Sequence, residues 1–378
     1  MAPTTTKQWT VAGKDGFDSL KFEEKAQIPK LGDHDVLVHF HYVSLNYRDL
    51  IIPKGKYPFP TKDNVVPGSD GAGTVEAVGS SVKSFKPGDK VLTLFNQAHQ
   101  AGPISVAIVG TGLGGVIDGA LRQYGSFEES GLVHMPTTLD FKEGSTLACA
   151  ALTAWNGLYG LESKALKPGD TVLTQGTGGV SIFALQVSRE PLPCRPFEAA
   201  AVSISTLGIL QFAKAAGARV IATTSSAAKA ETLRKLGADT VINYKDNPDW
   251  GEIAKKASPH GLGVDHVLEV GGPKTMAQSL KAAKPEGVIS IIGFLGGMSK
   301  EQPSFLECLN NIVTVRGLLV GSRLQFQNMN EAIDANGIKP VVDEKVFSLE
   351  ELKDAYQYMW DQKHFGKLTV KIDAAPKL

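Results

Sequence analysis

The sequence predicts an α/β chain of two domains, a compact and mostly β domain followed by a doubly wound parallel sheet. Three observations carry that reading. Up to about residue 150 the apolar runs are short and β-like (VLVHFHYVSL, GTVEAVGS, KVLTLF), and Gly, Pro and Asp turns such as KPGDK at 86–90 separate them. From Thr171 the texture changes to strands alternating with helical segments. Each later strand is rich in Val and Ile and continuously apolar, as a strand covered on both faces must be.

In chain order the second half reads TVLTQ, a helix, ARVIATT at 218–224, a helix AAKAETLRKLG, then DTVINY, VDHVLEV and GVISIIGF at 287–294. The tail contains FSLEELKDAYQYMWDQ, where Leu349, Leu352, Ala355, Tyr356 and Met359 share one helical face, followed by the strand GKLTVKI. These elements predict a first domain over 1–148, a second over 149–318 and a return to the first over 319–378. Residues 96–125 read as a glycine-rich surface loop.

One segment breaks the pattern. Joining Gln186 directly to Phe212 gives SIFALQFAKAAGA, a continuous helix with Ile182, Leu185 and Phe212 on one stripe, Lys214 in the last turn and Gly217 as C-cap. Between them, Val187 to Gln211 carries Pro191, Pro193 and Pro196, each costing about 3 kcal/mol inside a helix. The segment reads as a translated intron: its opening Val-Ser fits a 5′ splice consensus GT(A/G)AGT, its closing Gln fits a terminal CAG, and its length keeps the frame. A family-specific loop is the alternative.

Composition narrows the function. At 378 residues and 42% hydrophobic content the chain can bury substantial cores. Lys plus Arg equals Asp plus Glu at 39 each, so bulk charge points away from nucleic acid and anionic membranes and towards a small-molecule partner. The opening MAPTTTKQWT lacks a secretory profile and no uncharged apolar run is long enough to span a bilayer, so the expected location is the cytoplasm. Cys149, Cys194 and Cys308 are too few and scattered for a disulfide framework or a four-thiolate zinc site.

The stretch TVLTQGTGGVSIFALQ runs from an apolar strand through a glycine turn into an amphipathic helix, the layout of a dinucleotide pyrophosphate cradle. Gly176 permits the tight turn, Gly178 and Gly179 let the backbone approach a diphosphate, and Thr177 and Val180 complete the candidate cradle. The helix N-terminus supplies N–H groups and a positive dipole end. Position 181 is Ser instead of the usual third Gly or Ala, and an ordinary strand-to-helix turn is the plain alternative. After the next strand, IATTSSAAK offers no carboxylate for the adenosine ribose; Thr224, Ser225 and Ser226 can hydrogen-bond, and Lys229 can meet a phosphate. That favours NADP(H) over NAD(H). Tyr244 and Lys245 end the following strand, placed to close over the adenine and its phosphate.

With those residues in hand, the chain resembles a medium-chain dehydrogenase/reductase of the zinc-free, quinone-oxidoreductase-like or zinc-independent alcohol-dehydrogenase-like branch. The resemblance spans nearly everything except Val187 to Gln211 and rests on SLNYRDL at 44–50, VVPGSDGAGTVEAVG at 65–79, FKPGDKV at 85–91, CAALTAWNGL at 149–158, KPGDTVLTQGTGGVS at 167–181, LGADTVINYK at 236–245 and FGKLTV at 365–370. It implies a GroES-like catalytic domain plus a Rossmann domain, with the active site in the cleft between them and a homodimer as the candidate assembly. Zinc-dependent relatives carry Cys where this chain has Asn46 and Gly-His-Glu where it has Gly68-Ser69-Asp70. Neither Asn46 nor Ser69 is a zinc ligand in that setting, and Cys149, near the third ligand position, reads as a buried small residue.

By the same resemblance SLNYRD faces the nicotinamide. Asn46 is then a hydrogen-bond donor to a carbonyl or amide, Tyr47 a candidate proton donor, and Asp49 either orients them or caps a turn. Thr153 is expected against the carboxamide, Gly271 near the nicotinamide ribose, Phe294 and Ser322 around the ring pocket, and Lys367 at phosphate or ribose or else on the surface. The implied activity is metal-independent hydride transfer from NADPH to a quinone, enone or other activated carbonyl. An NADPH-binding protein with a regulatory role, or a product inactivated by the 187–211 segment, are the alternatives.

Overall fold

The computed structural model describes residues 3–176, 212–213 and 216–372. The cradle positions Thr177, Gly178, Gly179 and Val180 and the whole of Val187 to Gln211 lie outside the described residues. The chain divides into two units: residues 1–152, 320–331 and 341–378 form the first, and residues 153–319 and 332–340 the second.

Unit 1 is built on strands β1 (Thr5–Val11), β2 (Leu20–Gln27), β3 (Asp35–Ser44), β4 (Asp70–Val78), β5 (Lys90–Thr93), β6 (Tyr124–Glu128) and β7 (Leu132–His134). After unit 2 the chain returns with β14 (Val342–Ser348) and β15 (Lys367–Lys371). The larger sheet runs β14-β15-β3-β4-β5-β7, with β6 also on β3. Strand β3 is central because it is apolar along most of its length, with Val36, Val38, Phe40 and Val43 all fully buried. The helix Leu352–Trp360 buries Leu352, Ala355 and Tyr356 completely in this core, and Leu349 precedes it at 1% exposure. A one-face apolar stripe on a helix closes the open side of a sheet in this way.

Residues 96–125 depart from the expected surface loop. Leu113, Ala120 and Leu121 are fully buried in the unit 1 core, and Trp9 N–H donates to Leu121 O at 3.1 Å. Glycine content marked the turns correctly but hid three apolar anchors placed between them.

Unit 2 holds one parallel sheet of β8 (Thr171–Gln175), β9 (Arg219–Thr224), β10 (Thr240–Asn243), β11 (Val264–Glu269), β12 (Ala283–Ile291) and β13 (Thr314–Gly317). Its order, β10-β9-β8-β11-β12-β13, reverses direction at β8. That is the doubly wound arrangement, with crossovers leaving β8 to both sides. Every residue of β8 is buried, and Leu173, Ile221, Val267 and Ile289 stack from adjacent strands in the core. The α/β class read from strand texture is therefore the observed one.

Candidate active site

In unit 1 the site begins where three strand ends meet. Ser44, the last residue of β3, pairs in register with Asp70 on one side and Thr369 on the other. Leu45 N–H then donates to Leu368 O at 2.9 Å. That register carries Asn46, Asp70 and Lys367 to one point although they are far apart in sequence.

Lys367 is 2% exposed and Asp70 fully buried. The ammonium donates to Asn46 Oδ1 at 2.7 Å, Leu45 O at 2.9 Å and Asp70 Oδ2 at 3.2 Å. Ser69 Oγ donates to Asp70 Oδ1 at 2.7 Å and accepts from Asn46 Nδ2 at 3.3 Å. Ser44 Oγ approaches Asp70 Oδ2 at 3.1 Å. A buried charge pair needs this degree of hydrogen bonding, because desolvating each ion costs several kcal/mol that the Coulomb attraction alone does not offset. The placement corrects the surface alternative for Lys367: it is buried and its three protons go to protein acceptors, none of them to the phosphate or ribose contact that was the other expectation.

Asn46 and Asp49 start the short helix Tyr47–Ile51. Asn46 N–H donates to Asp49 Oδ2 at 2.8 Å, which gives Asp49 the capping role. Asp49 is fully buried, and burial pushes its carboxyl up to about 6 against the opposing pull of Arg48, whose Nη1 lies 3.7 Å away. Tyr47 is 37% exposed and its ring stacks on Trp360 at 6.4 Å. Sequence reasoning passed over Arg48. Its Nε meets Tyr57 Oη at 3.2 Å, its Nη1 donates to Leu113 O at 2.8 Å, and the guanidinium lies over the rings of Tyr57 and Phe95. An arginine inside an apolar helical turn was the available signal, since such a charge is buried only when partners are provided.

Zinc chemistry, which the wider resemblance raises, can be tested on these atoms. The side-chain oxygen of Asn46 and one carboxylate oxygen of Asp70 already face an ammonium, and Ser69 offers a hydroxyl engaged on both sides. Cys149 sits in the π-helical turn Leu147–Ala151, where burial first and Asp70 second push its thiol up to about 12. Burial thus disfavours the thiolate form of Cys149. Among the described residues no group of three or more His, Cys, Asp or Glu side chains is gathered to hold a metal ion. The residues present do not fit zinc.

In unit 2 the candidate nucleotide residues fall at the carboxyl ends of consecutive strands. Gly176 follows β8, Ser225 β9, Tyr244 β10, Gly271 β11 and Phe294 β12. Ligands of open parallel sheets bind at those ends, beside the strand where the order reverses. Gly176 has φ +78° and donates to Thr223 O at 2.9 Å, and among the described residues no atom beyond its chain neighbours lies within 4 Å of where a Cβ would stand. The backbone conformation requires glycine there. Ser226 caps the helix Ala227–Lys235, its Oγ accepting from Lys229 N at 3.4 Å. Desolvation lowers the Lys229 ammonium, and none of the described residues forms an ion pair with it. Tyr244 and Phe294 keep 41% and 37% exposure. Thr153 is buried at 4% in the helix Leu152–Tyr159.

The turn after β11 is held by a network with no sequence motif. Glu269, fully buried, accepts from Gly272 N at 2.8 Å and Gln175 Nε2 at 2.7 Å, and also from the hydroxyls of Thr275 and Ser279. Gln175 Oε1 in turn accepts from Val270 N and Gly271 N, both at 3.2 Å. A Cβ on Gly271 would stand 2.3 Å from Thr275 Oγ1, so the turn admits no side chain at that position. Ser322 stands at a helix start. It belongs to unit 1, is 2% exposed, and accepts from Gln325 N at 3.2 Å while its own N–H donates to Gln325 Oε1 at 2.9 Å. It caps the helix Arg323–Asn336, its hydroxyl oxygen serving as the acceptor.

The positive-φ glycine after β8, the carboxylate-free end of β9 and the braced turn at 270–272 together fit a nicotinamide dinucleotide. Comparison with known proteins agrees. Residues 32–137 match the alcohol dehydrogenase GroES-like domain and residues 206–335 the zinc-binding dehydrogenase domain. A zinc-type alcohol dehydrogenase-like protein of Schizosaccharomyces pombe is 45% identical over 361 residues, 95% of this chain and 96% of that protein. A 2-methylene-furan-3-one reductase of Solanum lycopersicum is 27% identical, over 97% of this chain and 79% of its own length. The solved structure of a candidate alcohol dehydrogenase from Sinorhizobium meliloti 1021 superposes with a TM-score of 0.83 at 34% identity, covering 98% of this chain and all of that one. These likenesses and the two folds agree: the chain belongs to the medium-chain dehydrogenase/reductase superfamily of NAD(P)-dependent oxidoreductases.

Proposed function

We propose that this protein is a zinc-independent, NADPH-dependent reductase of quinones, enones or other activated carbonyl compounds. The observation that carries the reading is the Lys367 ammonium between Asn46 and Asp70, which commits the donors that a metal would need. Without a Lewis acid, a carbonyl is activated by positioning and hydrogen bonding, and that suffices for an acceptor already poor in electrons. Bound NADPH supplies the hydride; the substrate takes it up with one proton.

Asn46 donates through its amide to the substrate oxygen and is partly accessible for that purpose. Tyr47, exposed and held by its stack on Trp360, delivers the proton. Preference for the phosphorylated nucleotide rests on Ser225 and Lys229 at the end of β9: a cation whose charge is disfavoured by burial gains most from an incoming phosphate. The Solanum relative's name supports the enone class. The outermost strand β13, with Phe305, Leu306 and Leu309 exposed shortly before it, supports a homodimer formed along that edge.

The test is titration of the purified protein with NADPH and NADH by nicotinamide emission, followed by turnover with quinone, enone, aldehyde and saturated alcohol substrates. NADPH oxidation by a quinone or enone is the expected result. NADPH binding with no acceptor reduced favours a regulatory nucleotide-binding role, and turnover abolished by a chelator and restored by zinc sinks the proposal.

A further inference from the structure

The contacts around Lys367 close into a ring. Lys367 Nζ donates to Asn46 Oδ1, Asn46 Nδ2 to Ser69 Oγ, Ser69 Oγ to Asp70 Oδ1, and Asp70 Oδ2 accepts from Lys367 Nζ. An ammonium has donors and no acceptor. It therefore dictates which way the Asn46 amide lies: oxygen towards Lys367, NH2 away from it. The same amide reversed would point two N–H bonds at a buried cation. Asn46 Nδ2 carries two protons, and the ring uses one of them.

We infer that Lys367 is a positioning residue for carbonyl reduction, its buried ammonium locking the Asn46 amide so that an N–H of Nδ2 is presented to the substrate oxygen. The inference rests on the proposed carbonyl-reducing function but adds a residue from the far end of the chain, reached through register with β3. It also gives the buried Lys367–Asp70 pair a reason to exist. Replacing such a pair by apolar residues is often neutral or stabilising, so its cost is met here by the orientation it imposes. Lys367 acts through Asn46: its protons are taken up by Leu45, Asn46 and Asp70.

The experiment compares the full chain with the K367M/D70N double variant, which removes both charges together and leaves no lone buried ion. Four quantities are read: kcat and KM for the best acceptor, NADPH Kd by emission, and the Asn46 side-chain amide resonance in protein labelled with 15N-asparagine, assigned by its loss in N46S. Losing one oriented donor costs about 10²–10³ in kcat. The expected outcome is a fall of at least about tenfold in kcat, with NADPH Kd within about twofold and a displaced Asn46 amide signal. An unchanged kcat with an unchanged amide signal overturns the inference, as does a loss confined to NADPH affinity.

If the double variant fails to fold, S69A decides. It opens the ring at its neutral link and keeps the charge pair, so a smaller kcat loss and a shifted Asn46 amide are expected, and wild-type values for both overturn the inference. Should no acceptor be reduced even by the unaltered chain, the proposed function fails on its own. The amide signal then judges the ring without any turnover.

Discussion

The substitution Glu269→Gln tests how the turn at 270–272 is braced. The carboxylate receives four donors, from Gly272 N, Thr275 Oγ1, Gln175 Nε2 and Ser279 Oγ. A glutamine must place its NH2 where one oxygen was. On the Oε1 side it faces the Gly272 N–H, which cannot become an acceptor. On the Oε2 side it faces Gln175 Nε2, and Gln175 cannot turn over, because its Oε1 serves Val270 N and Gly271 N. Either rotamer leaves one buried donor unpaired, at about 1–3 kcal/mol, and the remaining bonds lose the strengthening that a charged acceptor gives, so unit 2 should be destabilised by roughly 2–5 kcal/mol. Urea unfolding followed by fluorescence reports this, since Trp155 and Trp250 both lie in unit 2. The E269Q midpoint should fall, and NADPH affinity should fall with it as the Gly271 turn loosens. T275V, which deletes one donor and orphans none, should cost only about 1 kcal/mol. The reasoning is refuted if E269Q unfolds within about 0.5 kcal/mol of the parent, a difference typical of a surface change.

Acidification should move the two units in opposite directions. Burial depresses His266 in β11 to about 4, so its stabilising contribution is complete above its unfolded value near 6.5 and is lost as pH falls through 4, a change of roughly 3 kcal/mol. Asp49 in unit 1 is raised to about 6, so its contribution is complete below its unfolded value near 3.8 and is lost as pH rises through 6. Chemical unfolding of the parent, H266L and D49N between pH 4 and 7 should show the acid sensitivity of unit 2 reduced in H266L and the opposite trend of unit 1 reduced in D49N; unchanged slopes reject both assignments. Lys229→Ala should raise the NADPH Kd by about 10–100-fold and leave NADH within about threefold, as expected for a lost charge-assisted phosphate contact. Equal effects on both nucleotides would remove the phosphate role. Deleting Val187 to Gln211 should tighten NADPH binding, and a mature transcript still encoding the segment would reject its reading as an intron.

Strand texture gave the α/β class because the second half buries both sheet faces, and that demand leaves a nearly unbroken apolar run such as TVLTQ. The turn glycine Gly176 was equally legible, since φ +78° there is a constraint that few other residues meet. Residues whose role depends on long-range register were not. Lys367 reads as a flanking lysine until β15 is placed against β3, when Thr369 pairs with Ser44 and the ammonium arrives beside Asn46. Glu269 ends an ordinary apolar strand, and its job appears once β8 lies alongside and supplies Gln175. Ser322 shows the converse: a serine three residues before a glutamine is a capping pattern visible in sequence, and the structure forms that cap.

Under the proposed function, an ammonium standing in for a metal limits what chemistry the site can do. A divalent ion accepts a lone pair directly and lowers the pKa of a bound alcohol, which is how saturated alcohols are oxidised near neutral pH. An ammonium accepts no lone pair, and here its protons are committed to Leu45, Asn46 and Asp70. Its charge can reach a substrate only through the polarised Asn46 amide, as a neutral hydrogen bond strengthened by a cation one residue behind it. That is a weak substitute for a Lewis acid on an alcohol, whose proton must leave before hydride transfer. It is adequate for a quinone or enone, where the accumulating negative charge is spread over a conjugated system. On the proposed function, the buried Lys367–Asp70 pair and a preference for delocalised acceptors are two consequences of one arrangement, so a substitution that frees the Lys367 ammonium to face solvent should broaden neither the substrates nor the metal content.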